Sequence, residues 1–175
     1  MYYIRRLSKC SNLFKLKTSD YRTISSDLLY QEMRTTNQTL SVWHFEAIGS
    51  DEYERVLQAA LLTGTSLENT QFLIISSDEL TEYGISYVDN SNPSGYIGLD
   101  DHHTDLCNLT IDGICRLLSL FTVVSKKIDR TPKIDKPEFI RIVKQLDENT
   151  LLDRSNLNEH LVSAINHCLT QNSSN

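Results

Sequence analysis

Two short runs constrain the fold of this chain more than anything else in it. Over residues 39–47, Leu40, Val42 and His44 alternate with Ser41, Trp43 and Phe45, so a strand here carries large groups on both faces. Over residues 71–75, Phe72, Leu73, Ile74 and Ile75 follow without interruption, the pattern of a strand buried on both sides. Such strands need neighbours at their edges and a cover over each face. The chain must therefore build a sheet lying between other layers.

Candidate covers follow from helical periodicity. Ser50 is an N-cap, and Asp51 and Glu52 suit the positive end of a helix dipole. Tyr53, Val56, Leu57, Ala60 and Leu61 then recur at helical spacing until Gly64 closes the helix. Residues 77–83 form one or two helical turns ended by Gly84, residues 85–88 a short strand, and residues 89–95 (DNSNPSG) a loop. Thr110 caps a long helix to about Lys127, with Ile114, Leu117, Leu118, Phe121 and Val124 inward. Asp135 and Pro137 open another through Leu146, with Phe139, Ile140 and Val143 apolar. Ser155 opens the last, with Leu157, Leu161, Ala164, Ile165 and Cys168 on its face. Ahead of all these, residues 2–7 and 12–17 read as strands. Ser25 and Ser26 cap a helix over 27–34, and a turn spans 35–38.

The expected fold is α/β or α+β: a small mixed sheet covered by helices, with a helical C-terminal part. Residues 1–130 read as an α/β domain and residues 131–175 as a helical extension packed on it. Only six glycines and three prolines interrupt 175 residues, too few for a linker-rich or disordered chain. The longest apolar stretch, 117–124, is broken by Ser119 and Thr122 and is too short to span a bilayer. The start, Met1-Tyr2-Tyr3-Ile4-Arg5-Arg6, lacks the apolar core of a signal peptide. Cys10, Cys107, Cys115 and Cys168 form no CxxC pair, so buried reduced thiols in a cytoplasmic protein are expected, with no membrane partner.

The net charge of -6 conceals an asymmetry. Residues 1–23 hold six bases and one acid, whereas residues 46–112 hold thirteen acids and Arg55 as their single base. Fields of one sign attract partners of the other. The basic start is interleaved with Tyr2, Tyr3, Phe14 and Tyr21, a pairing that nucleic-acid binding uses. Arg5, Arg6, Lys15 and Lys17 are its candidate binding residues. The competing account is strands whose aromatics face a core and whose bases face water, and no recognised nucleic-acid motif is present. The acidic middle suits a basic protein surface or a cation, or serves only as a solvated face.

One cluster has the composition of a chemical site. Asp100-Asp101-His102-His103-Thr104-Asp105 packs three carboxylates and two imidazoles into six residues. Imidazole with carboxylate suits a divalent transition metal, which would activate water for hydrolysis. Alternate residues of a strand share a face, so His103 and Asp105 are the catalytic and metal-ligating candidates, with Asp101 as a third ligand. His44 or Glu46, on a strand, could complete the set from a distance. The competing account is a core histidine beside capping acids, and no HExxH or second histidine-rich segment supports the metal. P-loop, GxGxxG, GxSxG and kinase signatures are absent. Cys107 beside His102 and His103 reads as core rather than as a thiol–imidazole pair, and Trp43 reads as core.

Leu40-Ser41-Val42-Trp43, Ala60-Leu61-Leu62, and His103-Thr104-Asp105-Leu106 before a long apolar helix resemble a set of small bacterial proteins of unassigned role. Those proteins are encoded beside larger partners in mobile or defence loci. The resemblance covers residues 1–125 and transfers no active residue. It implies a bacterial accessory protein that works through a protein partner. With the opposed charge patches, the missing catalytic motifs and the C-terminal helices, the expectation is a non-enzymatic accessory or interaction protein in a bacterial defence or toxin-type system, without a cofactor. The alternative is a metal-dependent hydrolase or nuclease at 100–105.

Overall fold

A computed structural model describes residues 1–7, 33, 35, 37–91 and 93–171. The expected strand at 12–17, all of the helix at 27–34 except Met33 together with its serine caps, Cys10, Lys15 and Lys17 lie outside the described residues, as does part of the turn at 35–38.

The fold is α+β, an antiparallel sheet with helices on both faces and helices at the C-terminal end. Strand β1 spans Tyr2–Arg6, β2 Leu40–Phe45, β3 Thr70–Ser76, β4 Ser86–Asp89, β5 His103–Cys107 and β6 Lys133–Ile134. Their order across the sheet is β4-β5-β2-β1-β3-β6, and every pairing is antiparallel. Helix α1 spans Asp51–Leu62, α2 Ser77–Glu82, α3 Ile111–Val124, α4 Lys136–Glu148 and α5 Glu159–Gln171. The β2-α1-β3 unit is split: its two strands run parallel to each other with β1 inserted between them.

The alternation read from β2 and β3 divides the core in two. Trp43, Phe45, Phe72 and Ile74 face a cluster completed by α1, α4 and α5, including Val56, Leu61, Phe139, Val143, Leu161 and Ile165. Leu40, Val42, Leu73 and Ile75 face the other, built from α3 with Leu80 and Ile85. Residues beyond 131 thus supply a large part of one cover and, through β6, one edge of the sheet. Removing a filled ring from either layer, as in Phe121→Ala, costs about 3–5 kcal/mol.

Local chemistry sets the helix starts. Ser50 accepts from the Tyr53 amide, Thr110 from Gly113 and Asp135 from Glu138. At α2, Ser76 and Glu79 form a reciprocal capping box. The last helix begins four residues later than Ser155 suggests. The Asp153 carboxylate accepts from the amide and hydroxyl of Ser155, holding a 3₁₀ turn over Arg154–Asn156. Asn158 then accepts from the His160 amide as α5 starts. The described cysteines, Cys107, Cys115 and Cys168, are free thiols, and each is half-buried rather than buried. For Cys107 the cause is strand parity: Leu106 takes the inward position, so Cys107 falls on the other face.

Candidate functional site

The polar residues gather where β4, β5, β2 and β1 lie side by side. Thr104 on β5 stands opposite Val42 of β2 and Asp89 of β4. Its hydroxyl donates to Asp89 Oδ1 at 3.0 Å and lies 2.7 Å from His44 Nδ1. A hydroxyl has one proton. With that proton on Asp89, His44 must be the tautomer that donates from Nδ1. Burial lowers the His44 pKa from its ordinary 6.5, against the opposing pull of Asp89, and the neighbouring His102 lowers it further. Tyr3 closes the inner side, its ring 6.5 Å from His44 and 5.0 Å from Tyr87. Burial, a hydrogen bond with Tyr87 and the charges nearby push the Tyr3 phenol up, so it stays neutral.

His102 belongs to this neighbourhood. Its Nδ1 lies 3.1 Å from the His44 carbonyl and 3.7 Å from Glu52 Oε1, and the two imidazole rings are 5.3 Å apart. Glu52 also accepts from the Glu46 amide, so Glu46 contributes its backbone here.

His103 and Asp105 do share a face, but not this one. His103 packs edge-on against Trp43, opposite it in the register, with ring centroids 5.4 Å apart. It is 2% exposed. Its Nε2 lies 4.0 Å from Asp105 Oδ1, and its Nδ1 has no hydrogen-bond partner. An orphaned buried acceptor costs about 1–3 kcal/mol. Asp105 receives the Ser41 hydroxyl and the Asn90 side-chain amide, each at 3.2 Å. Asp100 accepts from the Ser94 amide, while Asp101 is exposed in the preceding turn. Among the described residues, no three His, Cys, Asp or Glu side chains are placed to hold a metal ion. Described clefts, one of about 470 Å³ between Leu67, Ile140 and Cys168, lie elsewhere and are not lined by the 100–105 cluster.

The two described N-terminal bases, Arg5 and Arg6, are engaged internally. Arg5 donates to the Ser41 carbonyl at 2.9 Å. Arg6 is half-buried beside Gly64, where a Cβ would come within 2.0 Å of its Nη1, and it reaches Thr70 Oγ1 at 3.5 Å. Burial draws its pKa down while Glu68 opposes the shift. Sequence parity alone does not reveal this, because the space above Gly64 comes from the end of α1.

Charge separates the flanks of the sheet. Among the described residues, the ion pairs of Asp89, Asp105 and Glu52 are all with histidines. From Ser86 to Cys115 there are five acids and no lysine or arginine. On the far side Glu79 meets Lys127 at 2.7 Å and Arg130 at 3.7 Å, and Arg130 lies over the Tyr2 ring at 4.7 Å.

Compared with models of protein families, with curated proteins and with solved structures, the chain matches none of them. No helix among the described residues is long and apolar enough to cross a membrane.

Proposed function

We propose that this chain is a non-enzymatic accessory protein that acts by binding a protein partner. One observation carries the reading: among the described residues, Asp89, Asp105 and Glu52 on the β4–β5 flank form ion pairs with no lysine or arginine. The Asp89 side chain there is 71% exposed. Uncompensated charge of one sign raises the encounter rate with an oppositely charged surface and disfavours wrong partners. The same sign repels phosphate, so this flank is a protein surface rather than a nucleic-acid one. The resemblance supports a setting in the bacterial cytoplasm, beside a larger partner from a defence or toxin-type locus.

Affinity purification of the tagged chain from its own cells tests the reading. A stoichiometric protein partner, retained at low salt and released as salt rises, is the expected result. Recovery of the chain alone at every salt concentration removes the proposal. The alternative metal-dependent hydrolase at His103 and Asp105 predicts stoichiometric metal by elemental analysis, lost in His103→Ala.

A further inference from the structure

Among the described residues strand β4 is the end strand of the sheet, and all four of its own residues are exposed. Val88 is 58% exposed and Tyr87 40%. The Asn90 amide donates to the His103 carbonyl at 3.0 Å. In an antiparallel ladder, bonded and non-bonded pairs alternate. Val88 and Ser86 therefore bond toward β5, and the N–H and C=O groups of Tyr87 and Asp89 point outward. Natural edge strands are commonly blunted by lysine, proline, a bulge or a covering element. Ser86-Tyr87-Val88-Asp89 contains neither lysine nor proline. Among the described residues no further strand pairs with this edge; it is short and carries Asp89, and it presents an apolar residue on each face.

Resting on the partner-binding reading above, we infer that β4 accepts an extended, basic segment of the partner as an added strand. Main-chain bonds to Tyr87 and Asp89 would supply affinity, as they do wherever a peptide extends a sheet. Side-chain alternation would supply the selection. On one face the incoming strand meets Tyr87 and Asp89; on the other it meets Val88, with Asp105 one strand further in. Alternating lysine or arginine with β-branched residues satisfies both faces. A second copy of this chain fits less well, because pairing two such edges brings together two flanks rich in acid.

The test uses the full ¹⁵N-labelled chain and a capped decapeptide of alternating lysine and valine. Peptide binding should slow exchange of the Tyr87 and Asp89 amides, while Val88 and Asn90, already bonded to β5, change little. Val88→Lys should weaken binding at least tenfold and Val88→Glu should strengthen it. Opposite effects at one exposed position separate charge from folding. Ile128→Lys, at a site 92% exposed before β6, should leave binding unchanged. Absence of binding, protection elsewhere, or equal effects of the two Val88 variants overturns the inference. So does a chain whose mass doubles, with Tyr87 and Asp89 protected before peptide is added. If a partner copurifies but Val88→Lys retains it fully, the edge is wrong and the accessory role stands; if none copurifies, the role itself fails.

Discussion

The two flanks of the sheet treat charge in opposite ways. On the β3 side, Glu79 sits 15% exposed between Lys127 and Arg130 while capping α2 through Ser76. Its charge is used up in holding the fold together. On the β4–β5 side, the ion pairs of Asp89, Glu52 and Asp105 among the described residues are with histidines alone. Acids that are paired internally act on stability, and acids left unpaired are free to act on other molecules. That difference, rather than the number of acids, separates a structural carboxylate from a recognition carboxylate.

The largest expected effect falls on the paired side. Glu79→Ala should destabilise the protein by about 2–3 kcal/mol, through loss of the capping box and of the carboxylate shared by Lys127 and half-buried Arg130, to which Asp129 remains as a second partner. Chemical denaturation measures it, and a loss below about 0.5 kcal/mol would break the contrast. The pH dependence has a definite sign. Burial raises the Glu79 carboxyl, but hydrogen bonds from Lys127 and Ser76 outweigh it and leave its pKa below the ordinary 4.5. A depressed carboxylate stabilises the fold above its unfolded pKa, and that stability is lost as pH falls below about 4.5 through the folded value. Glu79→Gln should flatten the acid limb of the stability curve.

On the open side the titrating group is His44. Burial lowers its folded pKa beneath 6.5, so the unfolded chain binds the proton more readily. The His44 contribution is therefore present above pH 6.5 and declines as pH falls below it. Stability should drop as pH falls below 6.5, less steeply in His44→Gln; identical slopes in the two proteins would show that His44 does not titrate there. Smaller still, Asp89→Asn keeps an acceptor for Thr104 and relieves acidic crowding, so its effect should lie within about 0.5 kcal/mol of zero. A loss approaching that of Glu79→Ala would mean that Asp89 is structural after all. Added salt should sharpen the comparison, screening the exposed acids more than the sheltered pair.

The same contrast explains what could be read in advance. The α1 stripe was legible because Tyr53, Val56, Leu57, Ala60 and Leu61 all bury along one face. Strands β2 and β3 were legible because both of their faces are core. Strand β5, written His-Thr-Asp-Leu-Cys, showed only through alternation, which put His103 and Asp105 on one face, where they lie. Its partners were not legible. Cross-strand register decides them, sending His103 to Trp43 and Thr104 to His44 and Asp89. Strand β6 is only two residues long and announces itself through no period. Arg6 looked solvent-facing because its cover, Gly64, is far away in the chain.

The central position of β1 bears on how the chain folds over time. Tyr2 pairs with both Phe45 and Ser76, so this strand is synthesised well before either of its neighbours. Until Ser76 is available, one side of Tyr3 and Ile4 has no strand to bond. Loop closure over such spans must precede the contacts that reward it, which places folding toward the millisecond-to-second range of sheet-rich domains. During that interval the nascent chain carries an unpaired apolar strand, the kind of segment that chaperones shield and that crowded ribosomes expose to aggregation.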